Sequence, residues 1–414
     1  MNSLLETGKR ARAASRVLGC TTTAQRNHAL YAIADALDAH CADILAENEK
    51  DLAAARGNGM TESLQDRLRL TEERIASIAG AVRFVAKLDD PVGRVLGGGS
   101  RPNGLKIEKV SVPLGVVGMI YEARPNVTVD AAALCLKSAN ACVLRGGKEA
   151  ICSNMAFASL MRDAIETAGL PRDCVQLVED TTRASAADLM TLDGYLDALI
   201  PRGGKGLIRS VVENASVPVI ETGAGNCHIY VDASADLETA VRICDNAKTS
   251  RPSVCNAVET VLVHRDIAPA FLPRLKAALD GHAVELRGCV RTAALIGGVV
   301  PATELDYATE FDNYILALRV VDSLDEAIEH IQKYTTGHSE AILTNDYANA
   351  QAFTARIDAA AVYVNASTRF TDGGEFGFGA EIGISTQKLH ARGPMGLTEL
   401  CSCKYIVTGN GQIR

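Results

Sequence analysis

The sequence predicts an α/β protein with a doubly wound parallel sheet in one domain, a second α/β domain after it, and a small β element apart from both. Three observations carry this. Residues 1 to 90 are rich in Ala, Leu and charge and poor in Gly and Pro, a composition suited to helices. From residue 114 onward short continuous apolar runs alternate with stretches of helical period, as parallel strands covered on both faces do. Clusters of Gly and Pro punctuate the boundaries. The net charge of −8 over 414 residues excludes a basic nucleic-acid or membrane surface. No apolar run reaches membrane-spanning length, and Met1–Arg10 lacks a signal-peptide core. The twelve cysteines have neither zinc-type nor regular spacing, so reduced thiols in a cytoplasmic protein without a metal are expected.

Taken in order, Leu30, Ile33, Ala34 and Leu37 recur at i, i+3, i+4, i+7 and predict one buried helix face. Leu96–Gly104 is a turn-dense break, and Leu105–Val112 alternates as an exposed strand or hairpin arm. Leu114–Ile120, Ala141–Arg145, Cys174–Val178 and Leu196–Ile200 read as buried strands, with a helix at about Val129–Ser138 after the first. Pro201-Arg-Gly-Gly-Lys-Gly206 turns directly into a helical stretch. Gly203 and Gly204 are there either a phosphate cradle at a helix start or a plain tight turn. A second α/β unit is expected to begin near 231, and Ser323-Leu-Asp-Glu326 reads as a capping box. Glu375–Ile384 is a glycine-rich loop, and Glu399–Val407 alternates as a strand suited to another subunit's edge.

The candidate nucleophile is Cys255. It sits in a polar loop, with Pro252 stopping the preceding helix, that runs into an alternating strand (Val258, Thr260, Leu262 against Glu259, Val261, Val263). A thiol at such a loop is exposed and aimed, which a core cysteine is not.

Val219-Ile-Glu-Thr-Gly-Ala-Gly-Asn-Cys-His228, the 34-residue step from Glu221 to Cys255, and Glu310-Phe-Asp-Asn-Tyr-Ile315 resemble the glutamate, cysteine and Glu-x-Phe segments of the aldehyde dehydrogenase superfamily. Arg251–Glu259, Gly337–Ile342, Glu375–Thr386 and Lys388–Pro394 resemble its acyl-phosphate-reducing branch in particular. The resemblance implies an aldehyde-dehydrogenase-like fold. Its cofactor domain would span 1–97 and 113–230 with a return at 365–384, and its catalytic domain 231–364. An oligomerisation element would comprise 98–112 and 385–414, and the site would lie in the cleft between the two domains. It also implies reduction of L-glutamyl 5-phosphate to L-glutamate 5-semialdehyde by NADPH, within proline biosynthesis, through a thioester on Cys255.

The residue roles follow from that resemblance. Cys255 attacks, and its backbone N–H is one oxyanion donor. The second comes from Tyr121–Asn126, where Arg124 takes the family's asparagine position and Asn126 follows it; Arg124 is equally suited to the leaving phosphate. Glu221 would activate water in a hydrolytic dehydrogenase; in a phosphate-releasing enzyme it tunes the thiol or bonds a backbone amide. Lys148, with Arg145 near it, stands where NAD-preferring members tend to carry glutamate, which favours the 2′-phosphate of NADPH. Glu310 would hold the nicotinamide ribose. Arg251, His338, Ser339, Arg369 and Glu381 are the candidates for the substrate's phosphate and amino-acid head. A homo-oligomer is expected, with a glutamate kinase as a possible partner. The alternatives are a hydrolytic NAD(P)-dependent aldehyde dehydrogenase and a non-catalytic binding protein of the same fold.

Overall fold

The computed structural model describes residues 2–122 and 124–414. The chain forms two compact units, one of Met1–Thr222, Gly377–Gly383 and Met395–Arg414, the other of Gly223–Phe376 and Ile384–Pro394.

The first unit opens with the helices Asn2–Leu18, Thr23–Ala39, Cys41–Gly57, Glu62–Leu68 and Glu72–Lys87. Leu30, Ile33, Ala34 and Leu37 are fully buried, as their spacing predicts. Thr22 and Gln25 close a reciprocal cap on the second helix. Four parallel strands follow in the spatial order Val175–Leu177, Ala141–Arg145, Val116–Tyr121, Ala198–Arg202. The central strand is buried along its whole length, which explains its unbroken apolar run. The helix expected at Val129–Ser138 starts earlier, at Asn126, with Pro125 as its cap residue. Much of the expected turn-dense break is itself a strand: Val95–Ser100 pairs antiparallel with Lys106–Pro113. The C-terminal strand Cys401–Thr408 pairs along the other edge of Lys106–Pro113. The edge it completes thus belongs to its own chain, and its alternation marks no half-buried face, since Ser402–Thr408 are exposed.

The second unit holds a seven-stranded parallel sheet, in the order Val300–Pro301, Glu285–Gly288, Ile315–Val321, Val258–His264, Cys227–Val231, Ser339–Leu343, Ala361–Val364. The unit therefore begins before residue 231, because Cys227–Val231 pairs on both sides within this sheet. Phe271, Leu272, Leu316 and Leu318 pack with Val261 and Val263 in one core; Ile328, Ile331 and Phe353 pack with Tyr230 and Leu262 in the other. Ser323 caps its helix by accepting the N–H of Glu326. The box does not close, because Glu326 accepts instead from Asp322. Val258–His264 alternates in sequence, yet all its residues but the last are buried, Glu259 and Thr260 included. Its period does not separate an inner from an outer face, because the strand is central and covered on both sides.

No helix among the described residues is long and apolar enough to cross a membrane.

Candidate active site

Cys255 lies half-buried in the loop that joins the helix Leu237–Thr249 to the strand Val258–His264. Its backbone is held from the neighbouring strand. The Cys227 thiol donates to the Cys255 carbonyl at 3.1 Å. Gly225 passes so close that a methyl added there would sit 1.4 Å from that carbonyl oxygen. Only glycine fits such an approach. The Gly225 N–H donates to Glu310 Oε1 at 2.7 Å, and the Asn226 amide donates to the carbonyls of Tyr307 and Tyr334, each at 2.8 Å. One glycine turn thus joins the nucleophile loop to the segment bearing Glu310.

The residue after the nucleophile organises the opposite flank. The Asn256 side-chain amide donates to the carbonyls of Arg369 and Thr371, and the Asn256 main-chain carbonyl accepts the Thr368 hydroxyl at 2.7 Å. The Arg369 guanidinium donates to Asn256 Oδ1 and to the Ser250 hydroxyl at 3.1 Å. Arg369 is a fixed cation beside the loop, its pKa lowered by partial burial and by the neighbouring Arg251. Arg251 is exposed.

His338 and Ser339 are fully buried. His338 Nδ1 bonds the Ser339 hydroxyl at 2.8 Å, which bonds Thr371, which in turn bonds the Tyr363 hydroxyl, the last two at 2.6 Å. Burial pulls His338 down to about 4, so it is a neutral imidazole at neutral pH. His338, a candidate for the substrate's amino-acid head, therefore offers a neutral ring and not a cation.

In the first unit, the glycine turn before the helix Lys205–Asn214 is not an open cradle. The Gly204 N–H donates to Glu122 Oε2 at 3.0 Å, and a methyl on Gly203 would meet the Glu122 carboxyl at 2.6 Å. A carboxylate of the chain itself sits where an anion would be drawn. Asn126 donates its amide to Asp130 at 2.9 Å. Burial pushes Asp130 up to about 6, against the pull of that bond and of Arg202. Arg145 donates to the carbonyls of Thr181 and Thr182, so it braces the loop after the strand Val175–Leu177. Lys148 is exposed in the turn that follows Arg145. Arg124, Glu221 and Glu381 are half-buried in this unit.

The chain matches the aldehyde dehydrogenase family over residues 5–311 and 307–406. The chain belongs to that family. It is 60% identical over 414 residues, covering 100% of both chains, to the gamma-glutamyl phosphate reductase of Carboxydothermus hydrogenoformans. It is 60% identical over 407 residues, 98% of both chains, to that of Heliobacterium modesticaldum. A crystal structure of gamma-glutamyl phosphate reductase from Thermotoga maritima, 52% identical, superposes with a TM-score of 0.98 over 99% of each chain. The fold alone is shared with an acetylating aldehyde dehydrogenase from Geobacillus thermoglucosidasius. That protein is 19% identical, with a TM-score of 0.71 over 100% of this chain and 98% of that one. The chain is thus an oxidoreductase of the gamma-glutamyl phosphate reductase branch, and the family uses a nicotinamide cofactor.

Within the second unit the fold brings Cys255, Glu310, Arg251 and Arg369 into one neighbourhood. Sequence reasoning passed over Asn256, Gly225 and Cys227 as site residues. The tight Gly-x-Gly spacing in Thr-Gly-Ala-Gly-Asn is the one sequence signal that points to Gly225; Asn256 and Cys227 act through backbone contacts that no motif announces.

Proposed function

We propose that the enzyme reduces L-glutamyl 5-phosphate to L-glutamate 5-semialdehyde with NADPH, releasing phosphate, through a thioester on Cys255 in proline biosynthesis. One observation carries the reading. Cys255 is a half-buried thiol on a loop pinned by Gly225 and Cys227, with the cations Arg251 and Arg369 beside it. Two buried thiols of the same unit, Cys227 and Cys244, suit the role less well: burial raises both well above the ordinary range, and a buried thiol is a poor nucleophile.

In the forward direction the Cys255 thiolate attacks the acyl carbon, the carbon–oxygen bond to phosphate breaks, and the thioester remains. After hydride addition at that carbon the carbon–sulfur bond breaks, the aldehyde leaves and the thiolate is restored. The Cys255 N–H is the oxyanion donor on the nucleophile loop. The Asn256 amide is not a second one, since both its bonds go to backbone carbonyls. Arg124 takes that role or receives the leaving phosphate. Arg369, fixed by Ser250 and Asn256, receives an anionic group of the substrate, with Arg251 beside it. Glu221 has no water to activate in this chemistry and holds the thiol's surroundings. Ser339 acts inside the buried chain that ends on Tyr363, and Glu381 stays the candidate acceptor for the substrate's ammonium.

The residues present fit a phosphorylated nicotinamide cofactor, because Lys148 presents an exposed cation directly after the strand Ala141–Arg145 where a carboxylate would repel a 2′-phosphate. The cofactor supplies the hydride when bound. Lys148 would hold its 2′-phosphate, with Arg145 bracing the loop beyond, and Glu310 its nicotinamide ribose. The three-stranded sheet, on which Val95, Tyr405 and Val407 are 64%, 65% and 55% exposed, is the surface we assign to a second copy of the chain. A glutamate kinase is the natural donor of so unstable an acyl phosphate.

The test is the reverse reaction. With glutamate 5-semialdehyde and NADP, NADPH formation is expected to require inorganic phosphate and to vanish in Cys255→Ala. Sustained formation without phosphate would overturn the reading in favour of a hydrolytic dehydrogenase.

A further inference from the structure

A charged pair lies inside the core of the second unit, and the chemistry described so far makes no use of it. Lys248, in the last turn of the helix Leu237–Thr249, donates to Glu259 Oε2 at 2.6 Å, and the two side chains are 0% and 1% exposed. Burial works against both charges, raising Glu259 and lowering Lys248, and the attraction between the two partners opposes both shifts. Two charges withdrawn from water in this way are often no more stabilising than apolar side chains of the same volume. Stability therefore gives no sufficient reason for the pair to be there.

Its connections suggest another reason. Lys248 stands just before the nucleophile loop and Glu259 just after it, so the pair ties the two ends of the loop together. The second oxygen of Glu259 is also engaged: Oε1 accepts the N–H of Asp312 at 3.3 Å. Asp312 has φ 53, a left-handed conformation that an aspartate keeps only where its surroundings hold it. It lies two residues beyond Glu310, whose Oε1 takes the N–H of Gly225, and Gly225 packs on the Cys255 carbonyl. One carboxylate thus grips both the base of the Cys255 loop and the turn carrying Glu310.

We propose that Lys248 and Glu259 are positioning residues. They form a clamp that sets the Cys255 loop against the Glu310 turn, so that the thiol and the group held by Glu310 meet in register. The proposal rests on Cys255 being the reacting thiol. A displacement of about 1 Å at reacting centres costs roughly a hundredfold in rate, so the clamp should be read in kcat.

The experiment uses the full-length enzyme in the reverse assay with three proteins: wild type, Glu259→Gln, and the double variant Lys248→Met with Glu259→Leu. The double variant replaces the pair with apolar side chains of similar size and is expected to fold. Its kcat should fall about thirtyfold to a hundredfold, with the KM for the aldehyde within about threefold of wild type. Glu259→Gln keeps an acceptor for Asp312 and should lie between the two, about threefold to tenfold below wild type. A folded double variant with wild-type kcat overturns the clamp, and so does a Gln variant no better than the double variant. Should the double variant not fold, Glu259→Gln is read alone. A kcat about threefold or more below wild type at unchanged KM supports the clamp, and an unchanged kcat overturns it. Peptide mapping after iodoacetamide inactivation of wild type separates the two possible failures. Inactivation through a thiol other than Cys255 defeats the nucleophile reading itself. Labelling at Cys255 together with wild-type turnover in the double variant defeats the clamp alone.

Discussion

The central strands of the two sheets, Val116–Tyr121 and Val258–His264, are both parallel, both covered on two faces, and built on different principles. The first has no charged residue along its length, and charge appears only past its end, at Glu122 and Arg124. The second buries Glu259 and Thr260, beside His228 on one neighbouring strand. His228 in turn bonds the buried Glu340, 3.0 Å away on the strand Ser339–Leu343. Buried polar groups are costly unless they are paired. A sheet that keeps them is specifying geometry in its core, whereas the other leaves recognition to loops at its surface. Disturbing the core of the second sheet should therefore cost chemistry, and disturbing the loops that follow the strands of the first should cost cofactor recognition.

The largest expected effect is that of Cys255→Ala, which removes the nucleophile. Turnover should fall by a factor of about a thousand or more, with thermal stability close to wild type because the residue is half-buried. Next comes Gly225→Ala, where the added methyl collides with the Cys255 carbonyl. It should lower kcat about a hundredfold by displacing the loop and destabilise the fold by about 1–3 kcal/mol, both measurable on one preparation. In the first unit, Lys148→Glu puts a carboxylate where the 2′-phosphate is expected. The KM for NADP should rise about tenfold, with kcat nearly unchanged and the KM for NAD unchanged or lower. Equal losses in kcat would blur the contrast between the units.

The smallest effect concerns stability and pH. His330 is buried among Tyr307, Tyr334 and His228, with ring centroids 4.9, 4.6 and 5.7 Å away. Burial, then the neighbouring His228, holds it down to about 2. The folded state keeps this imidazole neutral while the unfolded chain protonates it near 6.5. Stability is thus complete above pH 6.5 and is lost as pH falls below it, at about 1.4 kcal/mol per pH unit. His338, held down to about 4, adds a similar slope until it titrates. His330→Phe should leave turnover at pH 7 unchanged and shrink the stability difference between pH 7 and pH 5, read by urea unfolding, by about 2 kcal/mol.

Much of this was legible in the sequence where a residue's role depends on its neighbours in the chain. Leu30, Ile33, Ala34 and Leu37 announce a helix face, and Leu114–Ile120 a covered strand. The step from Glu221 to Cys255 and the segment at Glu310 mark the family, whose match spans nearly the whole chain. What depends on distant partners was not legible. The glycines before Lys205 read as a possible phosphate cradle because nothing local reveals that Glu122, 82 residues away, donates no proton but accepts one there. The burial of His338 was not legible either, since it follows from the next strand, Ser339–Leu343, pairing on both sides. Val258–His264 alternates in sequence, and nothing local shows that Lys248 pairs with Glu259 and hides a charge that alternation alone would place in water.

The most direct test of the central claim looks for the thioester itself. Enzyme is mixed with glutamate 5-semialdehyde and NADP in the absence of phosphate, quenched in acid and digested, while NADPH is followed in parallel. The account predicts a burst of about one NADPH per active site, a glutamyl adduct on the peptide carrying Cys255, and rapid turnover once phosphate is added. Steady NADPH formation without phosphate, or an adduct on any other cysteine, would contradict it.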